Sequence, residues 1–360
     1  MGRPSKCQEV KAGLLRIING KRKEHDLLLP GERELAGMIG VSRSTVRKVL
    51  DEFEHEGIVS RDNQMTRCLP LKRQRGRYAF CAASGKDCRN FYFELYHLFW
   101  EIFSSRAGEL EIELIFIPQF WDQGVQKQLE ELKKYDLVFV SYIAGDVVRQ
   151  MAESGIALVM LDEQNRMENY PFVGLDNTAV GHLAAQVLLR AGCRNALLAE
   201  FCMGGRYFPF EARRRGFTVE FEKNGGKVTW VANDQESPNP LVCLNSLAQK
   251  MEPGLQEDID CIFYLSDEKS DLLNWPWFHS RRIPQDLKML AFLGSGELYR
   301  NHILPDRIVM DHVAIADILL YMIELFEKHH VLPRAEQYLI APVYQPGETI
   351  FTLQQGDSAE

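Results

Sequence analysis

At 360 residues, with 46% hydrophobic and 26% charged side chains, the chain exceeds one ordinary compact core and has the composition of a soluble globular protein in two or three lobes. The net charge of −8 is unevenly spread: residues 1–77 hold 17 Lys+Arg against 10 Asp+Glu (+7), and the remainder holds 25 against 40 (−15), so only the head suits a polyanionic partner. No apolar run approaches the roughly 18 residues of a membrane span, and Met1–Lys11 is basic without an apolar segment, so no membrane partner and a cytoplasmic location are expected.

The first predicted helix covers Gln8–Asn19, with Val10, Leu14, Ile17 and Ile18 at helical spacing and Gly20 as its stop. A second, short helix carries Leu35, Met38 and Ile39 and ends at Gly40. Ser42 is placed to cap a third helix from Arg43 to about Glu56, which stops before Gly57. Val46, Val49, Leu50 and Phe53 form its apolar stripe. Ser44, Arg47 and Lys48 project from the other face, flanked by Arg43 and Thr45, while Asp51, Glu52, Glu54 and Glu56 crowd the far end. A helix that is basic and hydroxyl-rich only in its first two turns suits entry into a DNA major groove by its N-terminus. Ile58–Arg61 and Thr66–Leu69, joined by Asp62-Asn63-Gln64, read as a hairpin.

Three motifs in order carry a resemblance to the GntR family of winged-helix regulators: Leu29-Pro30-Gly31-Glu32-Arg33-Glu34-Leu35-Ala36, Val41-Ser42-Arg43-Ser44-Thr45-Val46-Arg47, and Glu56-Gly57-Ile58-Val59. The resemblance implies a winged helix-turn-helix fold over 1–69 and DNA contacts by Arg33, Ser42, Arg43, Ser44, Thr45 and Arg47. The chain departs from the family at the wing tip, where Asp62-Asn63-Gln64-Met65 lacks the usual glycines.

Residues 70–77, with Pro70, Gly76 and four basic side chains within Leu69–Arg77, read as an extended linker with phosphate affinity. From Tyr78 short apolar strands alternate with helix-length segments: Tyr78–Ala82, Glu111–Ile117, Leu137–Tyr142, Ile156–Leu161, Phe172–Leu175, Ala196–Phe201, Val228–Val231, Cys261–Leu265 and Met289–Leu293. The pattern predicts an α/β body, two lobes of doubly wound parallel sheet with a ligand cleft at the strands' carboxyl ends. The expected effector domain runs 78–360, with lobe 1 at about 78–175 and 295–325 and lobe 2 at about 176–294 and 326–346.

Val173-Gly174-Leu175-Asp176-Asn177 with Gly181, Ala184, Leu188 and Gly192, then Arg213-Arg214-Arg215-Gly216-Phe217, Tyr264-Leu265-Ser266-Asp267 and Ile283–Phe292 resemble the LacI/GalR effector domain, which shares its fold with periplasmic sugar-binding proteins. The combination is similar to sugar-responsive regulators such as the arabinose repressor of bacilli. By that resemblance Arg213, Asp162 and Asp267 would hydrogen-bond ligand hydroxyls, although Ser266 replaces the usual asparagine and Gly294-Ser295-Gly296-Glu297 stands where the family often has paired aspartates. A guanidinium fork and carboxylates give charge-assisted hydrogen bonds to a polyol, and Trp275, with Tyr207, Phe208 and Trp277, could cover its C–H face. Other roles stay open: Asp162 as a loop cap, Arg213 as a surface charge, Trp275 and Trp277 as packing.

The eight cysteines form no C-x-x-C pair and are expected as free thiols, with no metal or cofactor. No P-loop, G-x-S-x-G, H-E-x-x-H or G-x-G-x-x-G motif appears, which leaves a ligand-gated regulator ahead of a solute-binding protein or an enzyme on the same scaffold. The expected partners are a sugar-like effector and double-stranded operator DNA read as an inverted repeat by a homodimer, since one winged helix covers a half-site.

Overall fold

The computed structural model describes residues 6–62, 65–70, 76–82, 91–117, 125–141, 143, 145–161, 170–200, 208–232, 246–247, 249–251, 258–265, 282–293, 305–330 and 336–351. The chain forms two compact units, Met1–Gly174 with Asp311–Ile340, and Leu175–Met310 with Ala341–Glu360.

The first unit begins with three helices, α1 (Lys6–Lys23), α2 (Glu32–Ile39) and α3 (Arg43–His55), and an antiparallel pair, β1 (Val59–Asp62) and β2 (Met65–Cys68). Val10, Leu14, Ile18, Leu35, Val46, Val49, Leu50, Phe53 and Ile58 are buried together in its core, as the 3.6-residue periodicity predicts. Gly40 (φ 75°) and Gly57 (φ 70°) take the left-handed conformation that ends α2 and α3. The end of α1 differs from expectation. The helix passes through Gly20 to Lys23, because Asn19 and Arg22 on its last turns have buried partners far along the chain.

Those partners lie on α9 (His312–His329), an apolar helix whose residues from Ala314 to Leu325 are all buried. The six-stranded sheet of the same unit has the order β13-β7-β6-β5-β3-β4, with β3 (Tyr78–Ala82), β4 (Leu114–Ile117), β5 (Leu137–Ser141), β6 (Leu158–Met160), β7 (Phe172–Leu175) and β13 (Gln337–Ile340). β4 to β7 join β3 in one parallel set, with α4 (Phe91–Glu109), α5 (Val125–Leu132) and α6 (Gly145–Glu153) as crossovers. The five β5 residues are all buried, which is why this strand reads as a continuous apolar run rather than an alternating one.

The second unit has a sheet of order β14-β12-β11-β10-β8-β9: β8 (Asn195–Glu200), β9 (Lys227–Ala232), β10 (Cys261–Tyr264), β11 (Lys288–Leu293), β12 (Asp306–Val309) and β14 (Val343–Gln345). All pairs are parallel except β12 with β14. The body is thus α/β with two doubly wound sheets, as the strand pattern predicts. The chain crosses between units at Gly174–Leu175, Met310–Asp311 and Ile340–Ala341. The second crossing lies later than the expected Gly294–Ser295, because β12 still pairs with β11 before the chain leaves this sheet. The third follows β13, so the whole of α9 belongs to the first unit. β12 is hard to see in sequence because it opens on Asp306, a fully buried carboxylate that accepts hydrogen bonds from the Thr349 and Ile350 amides at 2.9 Å and from the Tyr344 hydroxyl.

α7 (Asn177–Arg190) and α8 (Phe208–Lys223) cross at Gly181 and Gly216. A Cβ on Gly216 would lie 2.3 Å from the Thr178 carbonyl oxygen, and one on Gly181 would lie 2.0 Å from that of Arg213. Neither obstacle is a movable side chain. Gly216→Ala is therefore expected to cost about 3 kcal/mol, the upper end of ordinary overpacking, read as a fall in the urea midpoint. An unchanged midpoint would mean that the two helices can separate freely.

Candidate functional site

Two groups of predicted residues can be located. The first is the start of α3. Ser42 caps the helix in an extended conformation (φ −74°, ψ 147°), its hydroxyl accepting from the Thr45 amide at 3.2 Å and lying 2.9 Å from the Ser44 and 2.7 Å from the Thr45 hydroxyl. Arg43, Ser44 and Arg47 are exposed, Thr45 is half-buried, and Arg33 is exposed on α2. Unpredicted from sequence is the role of Glu32, the first residue of α2. Its carboxylate accepts from Arg43 Nε at 2.8 Å and from Arg47 Nε and Nη2 at 3.1 and 2.8 Å. The Arg47 and Arg43 guanidinium groups hold the Glu32 carboxyl down at about 2, so it stays charged at any physiological pH. The pairing fixes two long cations side by side on an exposed face, a pre-set fork for phosphate or base-edge acceptors.

The acidic residues of α3 are paired with cations of the same head. Arg61 of β1 pairs with Asp51 at 2.7 Å and donates to the Arg47 carbonyl at 3.4 Å, which sets the hairpin against the recognition face. Lys11 pairs with Glu52 at 3.2 Å. The tip residues Asn63 and Gln64 lie outside the described residues.

The second group is built around Arg213, in the second unit. Only 6% exposed, Arg213 is no surface charge. Its Nε donates to Asn177 Oδ1 at 2.7 Å, its Nη1 to the Leu265 carbonyl at 2.5 Å, and its guanidinium stacks on the Phe292 ring, 3.6 Å from the centroid. Leu265 follows β10, Phe292 stands near the end of β11, and Asn177 opens α7 after the Asp176 cap. The arginine therefore sits at the carboxyl ends of parallel strands, the position where open α/β sheets bind ligands. Asn177 and Phe292 were quoted in the sequence motifs without a role; the structure makes them the partners that orient the fork. Glu200, buried at the end of β8, is a further strand-end carboxylate and accepts from Trp230 Nε1 at 3.0 Å. Asp162, Asp267 and Trp275 lie outside the described residues, as do Tyr207, Trp277 and Gly294–Glu297, and the Phe208 side chain is not described.

Cys68, Cys81, Cys193 and Cys261 are buried free thiols, and Cys7 is a half-buried one. The thiols of Cys193 and Cys261 and the Asp260 carboxylate lie within 4.8 Å of one another. Both Asp260 oxygens already accept backbone amides, from Arg194 and Asn195, and burial pushes the Cys261 thiol up, so the cluster serves the turn into β8 and β10. Among the described residues no helix is long and apolar enough to cross a membrane.

Residues 6–65 match the family described as bacterial regulatory proteins, gntR family. The HTH-type transcriptional regulator GgaR of Escherichia coli (strain K12) is 55% identical over 38 residues, which cover 11% of this chain and 15% of that relative's length. The body is similar to solved structures of regulators. The transcriptional regulator CelR in complex with cellobiose is 16% identical with a TM-score of 0.58, covering 89% of this chain and 100% of that one. A LacI family transcriptional regulator from Arthrobacter sp. FB24, in complex with lactose, is 12% identical with a TM-score of 0.57, covering 77% and 100%. At these identities the likeness is one of fold. The chain thus joins an N-terminal helix-turn-helix head of the gntR family of bacterial regulatory proteins to a two-lobed body with the fold of LacI-type regulators.

Proposed function

We propose that this chain is a transcription regulator, a repressor that binds an inverted-repeat operator as a homodimer through the start of α3 and releases it when its body binds a carbohydrate. The observation that carries the reading is the Glu32-braced pair of Arg43 and Arg47 beside the Ser42 cap, exposed on a head joined to a ligand-binding type of body. Arg47 reads a base edge and Arg43 and Ser44 fix the register on phosphates. In the body, Arg213 stacked on Phe292 donates to sugar hydroxyls, Asp162 and Asp267 accept from them, and Trp275 covers the sugar's C–H face; the sugars bound by the fold relatives favour this class of ligand.

Arg47→Ala is expected to weaken specific DNA binding by about 1–3 kcal/mol and to relax selection at one position, whereas a lost phosphate contact weakens all sequences alike. Competition between matched and mismatched duplexes measures the difference. Equal loss on both would show that Arg47 meets only the backbone. For the effector, a thermal-shift screen of mono- and disaccharides is expected to find a sugar that adds about 2.7 kcal/mol at 100 times its dissociation constant.

A further inference from the structure

A DNA-binding head joined by a basic, proline- and glycine-containing linker would ordinarily be read as a tethered module whose position the linker sets. The contacts of α1 point elsewhere. Arg22 and Glu324 of α9 form a two-pronged ion pair, Nη1–Oε2 and Nη2–Oε1 both at 3.1 Å, with side chains only 5% and 6% exposed. One turn away Asn19 donates to Asp317 at 2.9 Å, and Asp317, fully buried, also accepts from Arg106 of α4 at 2.9 Å.

The recognition helix is held from the same side. The Tyr321 hydroxyl donates to Glu56 at 2.9 Å, and Lys328 donates to the Glu56 and Gly57 carbonyls at 3.1 and 2.8 Å, closing the C-terminal end of α3 where a cation is favoured. Phe53, from the head's own core, meets the Tyr321 ring at 5.8 Å. Segments next to two of the chain's crossings are anchored too: Asp311 pairs with Arg16 at 3.0 Å, and the Gln337 carbonyl accepts from Gln8. Both ends of the linker are fixed as well, since Arg22 Nε donates to the Leu69 carbonyl at 2.9 Å and the Arg77 amide donates to Asp136 at 2.7 Å.

Buried charges are retained only where both members are paired, and two buried networks plus a capped helix end are more than a loosely tethered head would need. We infer that the head is docked, not tethered: α9 clamps α1 and the end of α3, so the DNA-reading face is a fixed outgrowth of the first unit and its position does not depend on residues 70–77. This inference stands whether or not the chain binds a sugar. On the reading proposed above, it makes α9, not the linker, the element that carries an effector response to the DNA face.

The test measures the distance between spin labels on Glu34→Cys in the head and Lys134→Cys beside the six-stranded sheet of the first unit, in the full chain with any native cysteine that takes the label replaced. The expected result is one narrow distribution that keeps its width when eight Gly/Ser residues are inserted between Arg73 and Gln74. Broadening on insertion toward the ~20 Å r.m.s. reach of a flexible 16-residue linker would overturn the inference. Glu324→Arg, which sets a second cation against the buried Arg22, is expected to broaden the distribution, and adding Arg22→Glu is expected to restore it. A narrow distribution in Glu324→Arg alone would remove the ion pair as the clamp. Neither DNA nor sugar enters the measurement, so its failure is separate from failure of the proposed function.

Discussion

Glu324→Ala is expected to destabilise the full chain by about 3–5 kcal/mol, the loss seen when one partner of a buried ion pair is removed. The Arg22 guanidinium would keep its bonds to the Leu69 carbonyl and Asn19 but lose both charge-assisted partners in a place that water does not reach. Lys328 would also lose its i,i+4 partner at 3.2 Å, a half-exposed contact that adds a few tenths at most. Urea unfolding followed by circular dichroism measures the change. Lys134→Ala, which removes only an exposed pair with Glu131, should stay within about 0.5 kcal/mol. A small effect of Glu324→Ala would mean that the pair is solvated in solution.

Arg213→Ala is expected to remove ligand binding and to lower stability together. The substitution strands the Leu265 carbonyl and the Asn177 amide oxygen, each at a cost of about 1–3 kcal/mol if water does not replace the guanidinium, and it uncovers the Phe292 ring. Arg213→Lys is expected not to rescue, because a single ammonium cannot reach both acceptors while lying flat on an aromatic face. The measurement is the sugar-induced thermal shift of each variant beside its own unliganded melting temperature. If Arg213→Ala melts lower but keeps the full shift, the arginine is a packing residue and the pocket is elsewhere.

The head was legible because its information is local. Ser42, the Val46–Phe53 stripe, Gly40 and Gly57 each act within one or two helical turns, and the structure places them as the pattern predicts. The parallel strands were legible for a similar reason, since burial on both faces leaves apolar runs such as Leu137–Ser141. Gly181 and Gly216, quoted only as motif residues, turned out to mark the place where α7 and α8 touch backbone to backbone. What stayed hidden depends on pairs far apart in the chain. Gly20 looks like a helix stop until Asn19 and Arg22 meet Asp317 and Glu324, some three hundred residues away. Asp306 disguises the start of β12 because a fully buried aspartate is plausible only once the Thr349 and Ile350 amides are seen to bind it. The role of Glu32 was hidden for another reason: its single carboxylate braces the two arginines that the family resemblance assigns to DNA, 11 and 15 positions away, and no local pattern shows that pairing. In the body the sequence pointed to Arg213 but not to its platform, Phe292, 79 positions later.

Selection of bound duplexes from a random-sequence pool by the full chain, with and without the sugar that gives the largest thermal shift, tests the central claim most directly. The proposed function predicts enrichment of a two-fold repeat, loss of that enrichment with Arg47→Ala, and its weakening when the sugar is added. Enrichment of no sequence, or an enriched sequence that neither the Arg47 substitution nor any shifting sugar affects, would contradict a sugar-gated regulator reading DNA through the start of α3.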